Sequence, residues 1–311
     1  MKISTKLNCK LCGSNKNKIF KKRDTKSFEN LKIAICLNCS LVQLENLPND
    51  EALKIYYSCN YREHYKKTYT PKLKHIRRAG LAAKSRISFI KNNIRNISNM
   101  KLLDIGAGGG EFVYLASKNG FNAQGIEPNV GYSSFARDEY GVNIKTLTLD
   151  ELKADTVNII TLFHVFEHMA NPQKVIQKLS YILKKDGYLL IEVPNIFQQD
   201  ASPHNIFFKA HLFYYSKYTL ISAASKFFDV VQIDDKGNLK ILFKKKNTSI
   251  RSIKLPSKTA LDETLKRLNQ KGWLEYLTKG GGLLKPFKKI KQKYYESLIK
   301  HLTPKKLLDS L

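Results

Sequence analysis

A glycine-rich segment at residues 104–110, Asp-Ile-Gly-Ala-Gly-Gly-Gly, is the feature that most constrains the fold. A short apolar run, 101–105, leads into it, and a helical pattern over 111–120 follows it. Glycine adopts positive φ without a steric penalty and lets a ligand approach the main chain closely. The first N–H groups of the following helix point into the same space. The segment therefore predicts a strand–turn–helix unit with a binding crevice at the turn.

The central region alternates apolar runs with helical patterns. Runs typical of strands occupy residues 101–105, 121–127, 141–147, 157–163, 187–193, 227–234 and 238–245. Strands that alternate with helices indicate a parallel sheet covered on both faces. The last two runs are joined by a Lys-Gly-Asn turn and predict a closing antiparallel hairpin. We therefore expect an α/β, doubly wound, Rossmann-like sheet.

Composition and motifs divide the chain into four parts. The predicted parts are a small metal-binding domain at 1–47, a Tyr-rich connector and helix at 48–99, the α/β domain at 100–246 and a basic helical extension at 247–311. A hydrophobic content of 42% and an aromatic content of 11% exclude disorder throughout. Apolar runs stay far below the roughly 20 residues that cross a bilayer. The first residues lack an export signal, so we expect a reducing, cytoplasmic location.

Four of the five cysteines form two C-x-x-C pairs near the start. The pairs are Cys9 with Cys12 and Cys36 with Cys39, whereas Cys59 stands apart. Two such pairs in a reducing compartment favour a metal site over disulfides. Four thiolates complete the tetrahedral shell of a structural Zn²⁺ and leave no open position for catalysis. The alternative is four buried thiols without a metal.

Both flanks of the chain are basic. Residues 1–100 hold 22 Lys and Arg against 6 Asp and Glu, residues 244–311 hold 18 against 5, and residues 101–243 hold 14 against 15. Basic flanks can bind phosphate, nucleic acid or an anionic membrane. Arg, which is favoured for bidentate phosphate recognition, supplies only nine of the 54 cations. A lysine-biased composition without a polyanionic partner is therefore the alternative.

Two carboxylates indicate which ligand the glycine turn binds. Asp104 precedes the first glycine by two positions, where it would repel a pyrophosphate but suit an ammonium or a sulfonium. Glu127 ends the second predicted strand, where a carboxylate accepts hydrogen bonds from a ribose diol. The glycine spacing also differs from the dinucleotide pattern G-x-G-x-x-G. Together they predict a nucleoside with a positively charged group.

This constellation resembles the class I S-adenosylmethionine-dependent methyltransferases. The resemblance covers about residues 100–245 and includes GIEPN at 125–129, FHVFEHMANP at 163–172 and EVPN at 192–195. It implies that the cofactor S-adenosylmethionine binds to Asp104, Gly106, Ala107, Gly108, Glu127, Pro128, Leu149, Phe163 and His164. Within that set, the glycine turn would hold the methionine part, Glu127 the ribose, Thr148 or Leu149 the adenine, and Phe163 and His164 the methyl-bearing end.

The catalytic candidates are histidines, since methyl transfer requires removal of a proton from the nucleophile. His168 and His211 are the predicted catalytic residues, and His204 is a weaker candidate. For each of them a packing or capping role is the alternative. The N-terminal cysteines combined with this core are similar to zinc-containing sugar methyltransferases, whose Tyr-x-Glu-His motif aligns with residues 208–211. Here the Tyr is Phe208 and the Glu is Ala210, so the resemblance favours O-methylation over C-methylation.

The predicted function is methyl transfer to a saccharide, a sugar nucleotide or a related small molecule. The first alternative is an RNA methyltransferase that binds RNA through the zinc domain and the basic flanks. The second is a non-catalytic protein that keeps the cofactor pocket. A basic amphipathic helix is predicted in the C-terminal extension, with Leu283, Phe287, Ile290, Tyr294 and Leu298 on one face. It would pack on the catalytic domain or a second subunit, or contact an anionic membrane peripherally.

Overall fold

The computed structural model describes residues 3–4, 7–48, 70–152, 156–202, 205–248, 250–270 and 272–311. Most of the Tyr-rich connector, together with Cys59 and His204, lies outside these ranges. The chain divides into two compact units. The first unit comprises Met1–Pro48, His164–Tyr181 and Leu190–Lys285, and the second comprises Asn49–Phe163, Ile182–Leu189 and Pro286–Leu311.

The strands and helices follow in chain order. The strands are β1 Ile3–Ser4, β2 Asn17–Arg23, β3 Asn30–Cys36, β4 Val42–Leu44, β5 Lys101–Ile105, β6 Asn122–Ile126, β7 Ile144–Lys145, β8 Val157–Phe163, β9 Leu183–Val193, β10 Phe213–Tyr214, β11 Phe228–Asp234 and β12 Leu239–Lys245. The α-helices are α1 Leu73–Asn93, α2 Glu111–Lys118, α3 Val130–Tyr140, α4 Pro172–Ile182, α5 Lys217–Ala224, α6 Lys258–Asn269, α7 Trp273–Thr278, α8 Lys285–Leu298 and α9 Pro304–Asp309.

Two sheets are present in the described ranges. The larger sheet has the strand order β11-β12-β9-β8-β5-β6-β7. Strand β5 pairs in parallel with β6 and β8, and β11 pairs antiparallel with β12. The order shows crossovers on both sides of β5, which is the arrangement of a doubly wound sheet. The predicted Rossmann-like α/β fold with its closing hairpin is confirmed.

The smaller sheet belongs to the first unit. Its order is β1-β2-β3-β4-β10, and its pairs are antiparallel. Strand β3 buries Ile33, Ala34 and Ile35 completely, which gives this small unit a core besides its cysteines. The sequence predicted the cysteine cluster, but it did not predict that a strand from beyond residue 200 completes the sheet.

Burial follows the apolar runs of the larger sheet. In β8 the side chains of Val157, Ile159, Ile160 and Leu162 are fully buried, as a central strand requires. The third predicted strand, 141–147, shortens to β7, because left-handed Gly141 caps α3 and turns follow directly. No helix in the described ranges has the length and apolar character that crossing a bilayer requires.

Candidate functional site

The glycine turn of the second unit has the backbone that its sequence predicts. Gly106, Gly108 and Gly110 have φ values of 72°, 57° and 85°. The N–H groups of Gly106 and Ala107 donate to the Ile126 carbonyl oxygen at 2.8 and 3.0 Å, which ties the turn to the end of β6. A Cβ on Gly110 would lie 2.7 Å from the Cβ of Ala136. The turn therefore needs glycine for both its conformation and its packing.

Asp104 is buried at the end of β5, directly before the turn. Its Oδ1 accepts a hydrogen bond of 2.6 Å from the Thr161 hydroxyl. Burial raises the pKa of Asp104 to about 7, although Thr161 and the positive charge of Arg86 oppose this shift. The nearby carboxylates of Glu127 and Glu111 add to it. A cation placed beside this carboxyl group would favour its charged form.

Glu127 joins the glycine turn to the end of β6. Its Oε2 accepts a hydrogen bond of 2.8 Å from Gly108 N, and its Oε1 accepts one of 3.1 Å from Asn129 N. The side chain is buried, and the Asn129 side chain in turn caps α3 through Tyr132 N. Each carboxylate oxygen has a second lone pair, so the carboxylate can also accept hydrogen bonds from a diol.

The remaining predicted cofactor residues of the second unit follow the carboxyl ends of its strands. Pro128 comes directly after Glu127, and Leu149 is buried in the segment after β7. Phe163 ends β8, where its ring meets Phe112 edge-on at 4.7 Å. The guanidinium of Arg86 lies 4.0 Å from the centre of the Phe163 ring. Strand carboxyl ends are where doubly wound sheets bind ligands.

His164 begins the part of the first unit that follows β8. Its Nδ1 lies 3.6 Å from Glu167 Oε1, and its Nε2 lies 3.3 Å from Glu192 Oε1. Desolvation lowers the pKa of His164, but the two carboxylates outweigh it and raise the pKa to about 9. The Asn238 amide nitrogen lies 3.1 Å from the same Nε2. His164 is therefore a charged residue held between two acids.

His168 and His211, the predicted catalytic residues, lie together. Their ring centres are 5.0 Å apart. His168 Nδ1 lies 2.7 Å from the carbonyl oxygen of Ala210. Because a carbonyl oxygen only accepts hydrogen bonds, Nδ1 of His168 carries a proton. Burial, assisted by the charge of His168, lowers the pKa of His211 to about 3, so His211 is neutral.

Glu167 lies in the same cluster as His168 and His211. The sequence alone indicated only that this residue could orient a neighbouring histidine. It is buried, and its Oε1 lies 3.7 Å from His168 Nε2. Burial alone would raise the pKa of Glu167, but the neighbouring histidines lower it to about 2. Neither carboxylate oxygen has a hydrogen bond among the described residues. The result is a buried carboxylate surrounded by imidazoles.

The segment that carries His211 is attached to the small sheet of the same unit. Leu44 N donates to Leu212 O at 2.9 Å, and β10 pairs with β4. Lys209 N donates to Asp24 Oδ2 at 2.5 Å, and Leu212 N donates to Glu167 O at 3.0 Å. The N-terminal segment therefore positions a catalytic candidate, a role that its sequence did not indicate.

The four predicted metal ligands converge in the first unit. The sulfur atoms of Cys9, Cys12, Cys36 and Cys39 all lie within 4.8 Å of one another. The distance from Cys9 to Cys39 is 3.5 Å and from Cys12 to Cys36 is 3.6 Å, both too long for disulfides. Zn–S bonds of roughly 2.3 Å in a tetrahedron place sulfurs about 3.8 Å apart. The donor set therefore fits a closed Zn²⁺ site.

A polar cavity of about 570 Å³ also lies in the first unit. It begins beside Asn195, just after β9, and includes the rings of Phe197 and Tyr218. Tyr218 donates a hydrogen bond of 2.8 Å to Glu263 on α6, so the C-terminal extension contributes to the wall. The other charged side chains of the wall are Asp200, Asp235, Lys217, Lys236 and Lys279. A cavity of this size and polarity can hold a hydrophilic small molecule.

Comparison with known proteins finds methyltransferases. Residues 73–233 match a family model described as a methyltransferase domain. Ubiquinone biosynthesis O-methyltransferase from Rickettsia prowazekii is 32% identical over 115 residues, or 35% of this chain and 46% of that protein. The protein of the same name from Actinobacillus pleuropneumoniae is 28% identical over 122 residues, or 35% of this chain and 52% of that protein. The chain spans about half the length of the curated relatives it matches.

The solved structures give the same fold. Magnesium protoporphyrin IX methyltransferase from Synechocystis PCC 6803, with bound S-adenosylhomocysteine, has a TM-score of 0.50 and 11% identity. The likeness covers 64% of this chain and 100% of that one. Since the family match extends over more than half of the chain, the protein belongs to the class I S-adenosylmethionine-dependent methyltransferases. The predicted enzyme family is confirmed, and the similarity to sugar methyltransferases in particular stays a prediction.

The charge of His164 gives a testable dependence on pH. The pKa of folded His164, about 9, exceeds its ordinary value of 6.5. Charged His164 therefore stabilises the fold fully below about pH 6.5, and this contribution is lost as the pH rises through about 9. Glu192→Gln should lower the pKa of His164 in an NMR titration. It should also reduce the free energy of unfolding more at pH 6 than at pH 10.

The matched control is Glu45→Gln, which removes a surface carboxylate 3.3 Å from Lys32. It should leave the titration of His164 unchanged. An unchanged titration in Glu192→Gln would show that Glu192 does not hold the charge of His164.

Proposed function

We propose that this chain transfers a methyl group from S-adenosylmethionine to a hydroxyl oxygen of a small molecule. The observation that carries the proposal is the turn from Asp104 to Gly110 with Glu127 bound to it, in a chain of the methyltransferase family. The names of the relatives in Rickettsia and Actinobacillus support oxygen as the methylated atom. The missing acid at Ala210 supports it too, because methylation at carbon needs a further group to stabilise an enolate.

The residues of the turn fit the cofactor chemically. Bound S-adenosylmethionine supplies an electrophilic methyl carbon on a positively charged sulfur. The buried carboxyl group of Asp104 would hold the positively charged methionine part, and the backbone of Gly106 to Gly108 would allow close approach. Glu127 would accept hydrogen bonds from the ribose, as a carboxylate can accept several. Pro128, Leu149, Phe163 and His164 are proposed to complete the site, as the sequence predicted.

Replacing Glu127 with alanine tests cofactor binding. Two charge-assisted hydrogen bonds to the ribose would be lost, and the turn would lose its tie to Gly108. We expect the affinity for S-adenosylmethionine in calorimetry to fall at least about 100-fold. Asp138→Ala, which removes an exposed carboxylate from α3, is the control and should bind normally. Equal affinities of Glu127→Ala and the native chain would refute the ribose role.

His168 is the proposed base. Its Nδ1–H is fixed on Ala210 O, and its Nε2 would accept the proton of the acceptor hydroxyl. Bound S-adenosylmethionine would give its methyl group to that oxygen and leave as S-adenosylhomocysteine, and the imidazole of His168 would take the hydroxyl proton, so the other product would be the ether. His211, whose pKa lies near 3, is a poor base at neutral pH. We assign it to orienting the acceptor.

A saccharide or a sugar nucleotide is the proposed acceptor, and the polar cavity supports it. Aromatic rings pack on the C–H faces of sugars, and amides and carboxylates bind sugar hydroxyls. The cavity wall provides rings from Phe197 and Tyr218, an amide from Asn195 and a carboxylate from Asp200. Lys217 pairs with Asp235 at 3.3 Å, and the other two lysines of the wall, Lys236 and Lys279, would bind a diphosphate. A phenolic precursor of a quinone is the second candidate, because the relatives are named for ubiquinone biosynthesis.

An acceptor panel separates the two candidates. The native chain with S-adenosylmethionine should release S-adenosylhomocysteine with nucleoside-diphosphate sugars and not with catechols. His168→Gln should lower kcat at least about 100-fold without changing cofactor affinity, since a positioned base contributes this much. His301→Gln, an exposed histidine, is the control. Turnover of catechols alone would reject the saccharide, and native turnover of His168→Gln would reject the base.

We also propose that Cys9, Cys12, Cys36 and Cys39 hold one structural Zn²⁺. Their mutual distances favour a closed site of four thiolates. The metal would stabilise the small sheet and, through the pairing of β4 with β10, the segment of His211.

Removal of the metal should therefore disturb the histidine cluster, which consists of His164, Glu167, His168 and His211. Elemental analysis of the native chain should give one zinc per chain, and Cys36→Ser should lose it. In Cys36→Ser the NMR signals of His211 should shift, because its segment is bonded to Leu44 in the sheet. Cys59→Ser is the control and should keep both the metal and the signals. A zinc-free native chain would contradict the site.

A further inference from the structure

Helix α8 turns its apolar side chains outward. Phe287, Ile290 and Tyr294 are 70%, 67% and 61% exposed, and Leu298 is 47% exposed. Their spacing of three and four residues places them on one face, and no residue of the helix is buried. A helix that packs on its own protein usually buries this face. The apolar stripe is therefore exposed among the described residues, although the helix belongs to the second unit.

The opposite, polar face of α8 is the one that packs within the second unit. Gln292 and Glu296 are half-buried there, and Gln292 Nε2 donates a hydrogen bond of 2.6 Å to Glu296 Oε1. The Tyr295 ring lies 4.8 Å from the guanidinium of Arg77 on α1, and Ile299 after the helix is buried. The polar side of the helix is therefore its less exposed side, and the apolar stripe stays exposed in the described part of the chain.

Lysines border the stripe. At about 3.6 residues per turn, Lys291 and Lys293 fall on its two edges, and Lys288 and Lys289 lie farther round. Glu296, the single acid of α8, faces inward. Lysine side chains beside an apolar face can extend to phosphates at the level of lipid headgroups while the apolar residues enter the acyl boundary.

We propose that α8 lies flat on an anionic membrane surface through this stripe and its lysines. With 14 residues it is about 21 Å long, too short to cross a hydrocarbon core of roughly 30 Å. A second copy of the chain fits the stripe less well, because a two-fold contact would bring equivalent lysine rows together. The charge around the stripe therefore selects an anionic lipid surface, and this inference is independent of the methyl acceptor.

Vesicle flotation with the full chain tests the proposal. The native chain should bind vesicles that contain phosphatidylglycerol and bind pure phosphatidylcholine at least about tenfold less, since each basic residue near an anionic surface adds affinity. Phe287→Ser/Ile290→Ser should weaken binding to the anionic vesicles at least about tenfold, because it removes two large apolar groups. Lys291→Glu/Lys293→Glu should weaken it similarly. Both pairs are exposed, so circular dichroism should show an intact fold.

Matched variants exclude general effects. Leu81→Ser/Tyr181→Ser removes exposed apolar residues elsewhere, and Lys184→Glu/Lys185→Glu reverses exposed charges elsewhere. Both should bind vesicles as the native chain does. Failure of the native chain to float with anionic vesicles would overturn the proposal, as would unchanged binding of Phe287→Ser/Ile290→Ser. A dimer that this variant dissociates, without vesicle binding, would assign the stripe to a second copy.

Discussion

The arrangement of the glycine turn depends on one buried carboxylate, that of Glu127. Glu127 binds the backbone N–H of Gly108 with one oxygen and that of Asn129 with the other. Because these amides belong to the glycine turn and to the start of α3, a single side chain fixes the distance between the two. Hydrogen bonds from N–H groups to a charged acceptor are stronger than neutral ones, so the turn is held before any ligand arrives. Ligand binding then costs little ordering of the turn.

In the first unit, a sheet rather than a single side chain fixes the position of a functional segment. Strand β4 of the cysteine-containing segment pairs with β10, and β10 follows His211 directly in the chain. A small sheet of this size has a limited core, so a metal that fixes one of its ends would also limit motion at β10. The N-terminal segment is thus connected mechanically to the catalytic candidates rather than being an independent appendage.

Short sequence patterns predicted the strands, the glycine turn and the cysteine pairs well. Contacts between residues far apart in the chain leave no such pattern in the sequence. The turn at 104–110, strand β8 and the cysteine pairs each depend on a few consecutive residues, and the structure has them as expected. Strand β10 has only two residues, and its pairing with β4 spans some 170 positions, which no periodicity reveals. The burial of Glu167 was equally hidden, because a glutamate on a short helix usually faces water.

Charge balance in the histidine cluster explains how a buried acid and three imidazoles coexist. An unpaired carboxylate would be costly at the position of Glu167, so at least one neighbour has to be positive. His164, with its pKa near 9 and a second acid at Glu192, supplies that charge at neutral pH. A second positive charge in the same place would be repelled, which contributes to the low pKa of His211. The cluster therefore holds positive charge at His164 and keeps His211 neutral, which is the state in which an imidazole can accept a hydrogen bond from a hydroxyl group.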